Sequence, residues 1–339
     1  MKKTKKILIG IIITSATIIL CGAAFVAWLT MDKWDGEEPV RVYVPQGATP
    51  EAVRDSLELR LGSYGAKVAT LWKWQGGKPE TAHGSYVARP GATTLSLSRQ
   101  IATGRQTPVR VTYNNIRTMP QLADKVASYL EFSPQDFLSA CDSVLPSLGY
   151  NAPQYISAFV PDTYEFFWTA SAPSVVKRLE AERDRFWNQE RTDKANALGL
   201  DPIEIATVAS ITEEETIKAE EMPRVARLYL NRLKKGMLLQ ADPTVKYAVG
   251  DFSLRRIGKK QLSVDSPYNT YLYPGLPPGP IRMASQRGID AVLNAPVHDY
   301  LYMCAKEDFS GYHNFARDLT THQSNARRYQ AELNRRGIK

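Results

Sequence analysis

The chain has 339 residues, is 43% hydrophobic and 23% charged, and carries a net charge of +8. That length predicts two compact regions plus an appendage rather than one small domain. The positive excess is partly local, because Lys2, Lys3, Lys5 and Lys6 crowd the N-terminus. No arginine-rich helix marks a nucleic-acid footprint, so no nucleic-acid partner is expected. The cysteines (Cys21, Cys141, Cys304) and the four histidines are scattered, without metal-ligand spacing or a disulfide framework, so neither a metal nor a cofactor is expected.

After the basic tail of residues 1–6, Ile7 to Leu29 run for 23 residues without a charge. A helix of that length rises about 34 Å, enough to span a hydrocarbon core. The run is too long for the apolar region of a cleaved signal peptide, and bulky Leu20 before Cys21 argues against a lipoprotein site. The expected element is a signal anchor over 7–29, with Trp28 and Trp34 at the interfacial belt. The preceding lysines orient it with a cytoplasmic N-terminus, in the cytoplasmic (inner) membrane, and the remaining chain outside.

Two later segments resemble each other. "VRVYVPQGATPEAVRDSL" (40–57) and "VRVTYNNIRTMPQLADKV" (109–126) each read as a strand, a turn and a helix, capped near Thr49 and Thr118. Between them lie the strand of "GSYVARPGATT" (84–94) and the short helix of 95–104. The alternation predicts small α+β modules across 40–130.

From 133 onward the pattern is mainly helical. Helices are predicted for 133–145, with Ser133 as N-cap, and for 171–190. A third opens with an Asp201–Glu204 capping box and ends before Pro223, and a fourth spans 223–236, closed by Gly236. A hairpin (299–305 with 311–317) and a terminal helix from about Thr321 to Arg336 follow.

"VASITEEETIKAEEMP" (208–223) holds five glutamates within nine positions. On a helical wheel the apolar face centres on Ile205, Val208, Ala209 and Thr212. Glu214 projects opposite that face, towards solvent, and Glu220 and Glu221 also read as solvated. Glu213 and Glu215 flank the face, where apolar walls raise a carboxyl pKa and suit it to general acid catalysis. Periodicity does not choose between them. The bland alternative makes both boundary residues paired with Arg227 or Arg232. "LLQADPTVKY" (238–247) gathers Gln240, Asp242 and Thr244 around a proline, and "SPYNTYLYPGLPPGPI" (266–281) holds five prolines, three tyrosines and Asn269. Such a loop presents rings and amides suited to sugar faces and hydroxyls.

These blocks, with "FVPDTYEF" (159–166) and "RLYLNRLKKGMLLQADPTVKYAVG" in the same order, resemble the YceG-like endolytic murein transglycosylases over essentially the whole chain. The resemblance implies an α+β fold: an N-terminal transmembrane helix, LysM-like modules in 40–130 and a mainly helical catalytic domain with β-hairpins over 133–339. It also implies a lyase that cuts the β-1,4 bond between N-acetylmuramic acid and N-acetylglucosamine, leaving 1,6-anhydro ends and terminating nascent peptidoglycan strands. In that reading the glutamate opening E-x-E-T, Glu213, is the catalytic acid and Glu215 a supporting residue. Gln240, Tyr268, Asn269 and Tyr164 are expected at the glycan. Asn231 and Arg232 are expected to lock the catalytic helix, and Asp242 either supports the site or caps the helix after it. Tyr300, Tyr302 and His313 read as packing residues, and Trp72 and Trp74 as either binding rings or core. Three departures from the family pattern stand out: Glu214 where Lys is usual, "PIRMAS" (280–285) in place of "PIANPG", and "TYNNIR" (112–117) without a Glu-Gly turn. Glycan strands, the membrane and peptidoglycan synthases are the expected partners. A lysozyme-type muramidase and a non-catalytic peptidoglycan-binding scaffold are the competing readings.

Overall fold

The computed structural model describes residues 2–254 and 256–337. Met1, which begins the expected tail, and Lys339, which ends the expected catalytic region, lie outside the described residues, as do Arg255 and Ile338. Among the described residues the fold is mixed helical and sheet, with one long apolar N-terminal helix and three two-stranded sheets. The chain divides into two compact units, one of Met1–Val111, Tyr129–Glu131 and Glu165–Ala170, the other of Thr112–Ser128, Phe132–Tyr164 and Ser171–Lys339.

The first unit opens with α1 (Lys2–Met31), in which Lys5–Met31 is long and apolar enough to cross a membrane, consistent with a single-pass anchor. Strand β1 (Val40–Val44) leads to α2 (Pro50–Trp74), capped by the Thr49 hydroxyl, which accepts from Ala52 N–H. Gly62, at φ 54°, breaks α2 into two packed halves, and a side chain at Gly65 would collide with the Leu57 carbonyl. A short α3 (Pro79–Ala82), β2 (Gly84–Ala88) and α4 (Thr94–Ala102) complete the module. β1 and β2 pair antiparallel, Val42 opposite Tyr86, over a core that includes Val44, Leu57, Val68 and Trp72.

Strands β3 (Val109–Tyr113) and β4 (Asp162–Phe166) form the second sheet. Between them lie α5 (Met119–Ala127), capped by Thr118, and α6 (Pro134–Val144), with a Ser133–Asp136 capping box. The predicted helix 171–190 is in fact two, α7 (Ala172–Phe186) and α8 (Gln189–Leu198). Trp187 leaves helical geometry (ψ 61°), and Asn188 caps the second helix by accepting from Arg191 N–H at 3.0 Å.

Helix α9 (Pro202–Glu215) carries the expected Asp201–Glu204 box and is the central element of its unit, with every residue from Ile205 to Thr212 buried. Around it lie α10 (Met222–Lys234), α11 (Asp242–Val249), the short α12 (Lys259–Leu262) and α13 (Gln286–Leu293). Val208, Ile211, Val225, Tyr229, Ile289 and Val292 share its core. The buried hydroxyls of α9 find partners, Thr212 donating to Val208 O and Ser210 Oγ accepting from Ile281 N–H. The hairpin β5 (Tyr302–Ala305) and β6 (His313–Ala316) and α14 (Leu319–Arg335), capped by Asp318, close the chain.

Candidate active site

α9 stops at Glu215 because Thr216 turns extended (φ −143°, ψ 134°). Three consecutive glutamates therefore occupy the last helical turn, the negative end of the helix dipole, where a carboxylate is disfavoured. Each meets a different surrounding.

Glu213 faces the N-terminus of α13. Ser285 Oγ donates to one carboxyl oxygen and Ser285 N–H donates to the other at 3.1 Å. The same Oγ accepts from Gly288 N–H as the helix cap, so the carboxylate sits on the positive end of a helix. A Cβ at Gly288 would lie 2.7 Å from Glu213 Cδ, so the helix approaches as closely as a backbone can. Both oxygens are committed to protein donors.

Glu214 does not face solvent, because the wheel places a residue relative to its own helix and not to its neighbours. Arg117 Nη2 reaches both of its oxygens, at 2.9 and 2.8 Å, and Arg282 Nη1 one of them at 2.7 Å. Arg282 Nη2 also donates to Asn115 Oδ1 at 2.7 Å. The three departures from the family pattern, at 112–117, 214 and 280–285, thus meet in one charged cluster.

Glu215 has neither a helix N-terminus nor a cation at ion-pair distance among the described residues. It lines a cavity of about 240 Å³ with Tyr229, Arg232, Gln240, Asp242, Tyr271 and His313. The residue keeps some exposure through the cavity, but its carboxyl is packed deep, and burial pushes its pKa up to about 7. Tyr229 Oη donates to it at 2.8 Å and opposes that rise, while the nearby Asp242 charge adds to it. Tyr229 is itself buried and its hydroxyl pushed well up, so it stays a proton donor.

The other expected residues are divided. Gln240, held at φ 52°, lines the Glu215 cavity. Asp242 also lines it and is no cap. It occupies the first turn of α11, whose N-cap position is Ala241, and it accepts from Tyr271 Oη at 2.6 Å. Asn269 cannot reach a glycan from its present place. It is fully buried, donating to Leu262 O and Val264 O at 2.9 Å each and accepting from Tyr271 N–H, so its amide shapes the proline-rich loop from within. Tyr268 packs on Tyr247, ring centroids 4.6 Å apart, and Tyr164 stacks on Tyr113 and donates to Val160 O. Neither tyrosine lines the cavity.

Asn231 and Arg232 tie α10 to the chain around it. Asn231 donates to His298 O and Tyr300 O, and Arg232 to Leu301 O, Leu238 O and Leu239 O. Arg227 donates to Ala295 O, so neither arginine pairs with Glu213 or Glu215. Glu221 is not solvated but 5% exposed, and its two oxygens take His313 N–H (2.8 Å) and Nδ1 (2.9 Å), which fixes the imidazole at the cavity wall. Glu220 accepts from Tyr312 Oη. Sequence reading missed Tyr229, Tyr271, Ser285 and His313 as site residues. Among the described residues no three His, Cys, Asp or Glu side chains are grouped to hold a metal.

Comparison with known proteins places this geometry in a context. The sequence model of the YceG-like family matches residues 42–328. An endolytic murein transglycosylase of Bacillus subtilis is 26% identical across 93% of this chain and 92% of its own length. One from Streptococcus pneumoniae is 31% identical over 43% of this chain, which is 27% of that protein. A crystal structure of a YceG-like protein from Listeria monocytogenes superposes with a TM-score of 0.57 at 26% identity, covering 85% of this chain and 99% of that one. With the family pattern running through both the first unit and the Glu215 cavity, the chain belongs to the YceG-like family.

Proposed function

We propose that this chain is a peptidoglycan lytic transglycosylase whose proton donor is Glu215. Its relatives are named endolytic murein transglycosylases. The observation that carries the assignment is the fate of the three glutamates. Glu213 is spent on Ser285 and Glu214 on two arginines, whereas Glu215 faces an open cavity with a pKa of about 7. A carboxyl tuned to that range is protonated in about half of the molecules at neutral pH and still releases its proton in a transition state.

The reaction then needs one carboxyl. Glu215 gives its proton to the glycosidic oxygen between N-acetylmuramic acid and N-acetylglucosamine as the bond to the anomeric carbon breaks. The carboxylate left behind takes the proton of the sugar's C6 hydroxyl, whose oxygen closes the 1,6-anhydro ring. The nucleophile belongs to the substrate, so a partner at the two-carboxylate spacing of glycosidases is unnecessary. Gln240 and Arg232 supply donors on the cavity wall, and His313 a ring nitrogen. Asp242, held by Tyr271, is the remaining cavity carboxylate and favours a second reading, in which it positions a water and the products are reducing ends.

The helix α1 supports single-pass anchoring in the cytoplasmic membrane with the remainder outside, where strand termination beside synthases takes place. The strand–helix–helix–strand order of the first unit supports the LysM-like reading of that region. The deciding experiment digests glycan strands with the wild type, Glu215→Gln and Glu213→Gln and identifies the ends by mass spectrometry. Loss of anhydro ends with Glu215→Gln and their retention with Glu213→Gln is expected. The reverse pattern moves the acid to Glu213, reducing ends indicate a muramidase, and a wild type that binds strands without cutting them is a scaffold.

A further inference from the structure

We infer that the Trp74 face of the first unit rests in the headgroup region of the lipid bilayer, a second membrane contact beside α1. The inference rests on reading α1 as a membrane anchor and goes beyond it, because an anchor alone needs nothing of the module it carries.

The anchor is not on a flexible tether. Leu29, near the end of the charge-free run, is 2% exposed, and Thr94 Oγ1 of α4 donates to its carbonyl at 2.6 Å. Thr94 N–H donates to Asp32 O, Trp34 N–H to Ala92 O and Gly91 N–H to Trp34 O. Lys67 of α2 pairs with Asp32 at 2.8 Å and lies 3.9 Å from the centre of the Trp28 ring. The helix end and the module are thus one piece, and the level of the membrane along α1 fixes its level on the module.

That level falls near Phe25 to Leu29. The stretch from Ile7 to Leu29, about 34 Å as a helix, slightly exceeds a hydrocarbon core of about 30 Å, so the boundary lies within the last turn or so of that stretch. At this height Phe25 and Trp28 are 50% and 55% exposed, with ring centroids 5.7 Å apart. Trp74, at the end of α2, brings its ring centroid within 6.4 Å of Phe25 and is 60% exposed. Trp72, two residues earlier, is core at 2% exposure, so the two rings have separate roles. Trp34, expected in the belt, instead packs on Tyr64.

A large exposed indole beside a membrane-level phenylalanine is costly in water and favoured at the headgroup boundary. Exposed Lys73 and Lys78 flank it, as suits a phosphate layer. The occupant is lipid rather than another protein because the patch continues the lateral surface of α1, none of which is buried in its apolar window.

The test is tryptophan quenching in the full chain in nanodiscs made with lipids brominated near the headgroup end of the acyl chains. Trp74→Phe is expected to remove about half of the lipid-dependent quenching, Trp28→Phe a similar share and Trp168→Phe none, each with an unchanged far-ultraviolet dichroism spectrum. Quenching that survives Trp74→Phe but falls with Trp28→Phe puts Trp74 in water and overturns the inference with the anchor intact. Quenching untouched by either substitution overturns the anchor reading and the inference together.

Discussion

Glu213 and Glu215 leave α9 on opposite flanks of one helical turn and enter opposite kinds of surroundings. The Glu213 side is finished, with two donors, a helix N-terminus and a glycine that lets α13 close over the carboxyl. The Glu215 side is unfinished, with one tyrosine hydroxyl, a neighbouring carboxylate and an open cavity. A structural carboxylate is made by satisfying both of its oxygens. A reactive one is made by withholding partners, at a cost to stability. The two residues differ in chemistry because of what packs against them, not because of their position on the helix.

The sharpest way to break this comparison is to remove each carboxyl in turn. Glu215→Gln is expected to lower turnover of glycan strands by about 10²–10⁴-fold, the usual share of a general acid. Glu213→Gln is expected to change turnover less than about tenfold per folded molecule but to cost on the order of 1–3 kcal/mol of stability, because the Ser285 donors lose a charged acceptor. Turnover is read from released anhydro-muropeptides and stability from urea titration.

The withheld partners also predict a pH signature. The folded-state pKa of Glu215, about 7, lies above its ordinary value of 4.5. The folded state therefore holds this proton more tightly than the unfolded chain. The stability it contributes is fully present below about pH 4.5 and is lost as pH rises through about 7. Glu215→Gln mimics the protonated form, so it is expected to be on the order of 2–3 kcal/mol more stable than the wild type at pH 8 and indistinguishable from it at pH 4. Urea titrations of the wild type and Glu215→Gln at the two pH values check this.

Between the flanks, Glu214 sharpens the comparison by showing how satisfaction is assembled from distant chain. Glu214→Lys places a third cation beside Arg117 and Arg282 and is expected to cost on the order of 1–3 kcal/mol. Adding Arg282→Ala is expected to recover about 1 kcal/mol of that loss in a double-mutant cycle, since the two residues share the cluster. Additive effects in that cycle would show that the departures at 214 and 280–285 are unrelated.

How much of this was legible in the sequence follows range of interaction. Thr49, Thr118, Ser133 and Asp201 act as caps because a cap is decided within three residues. The buried face of α9, and the fact that Glu213 and Glu215 flank it, also followed from periodicity. What divides the two carboxyls did not, because Ser285 is 72 residues from Glu213 and Arg282 is 68 from Glu214. Polar residues in the proline-rich loop looked like ligands, yet Asn269 is consumed by the carbonyls of Leu262 and Val264 just before the loop. Composition identifies the groups that form hydrogen bonds and is silent on which are left over after folding.

The smallest expected effect tests the hydroxyl that Glu215 keeps as a partner among the described residues. Tyr229 Oη donates to the carboxyl and is the main influence holding its pKa down against burial. Tyr229→Phe removes that donor while retaining the ring in the core. The Glu215 pKa should then rise, and the descending alkaline limb of the pH–rate profile should move to higher pH by about half to one unit. A merely structural role for Tyr229 predicts a lower rate at every pH with the limb unmoved, because loosened packing does not select one protonation state. Phe substitution at Tyr271, whose hydroxyl serves Asp242 instead, is expected to shift the limb less. A limb that stays fixed in Tyr229→Phe, with full activity, would place the titrating acid elsewhere. That result would return Glu213 to contention despite its Ser285 donors.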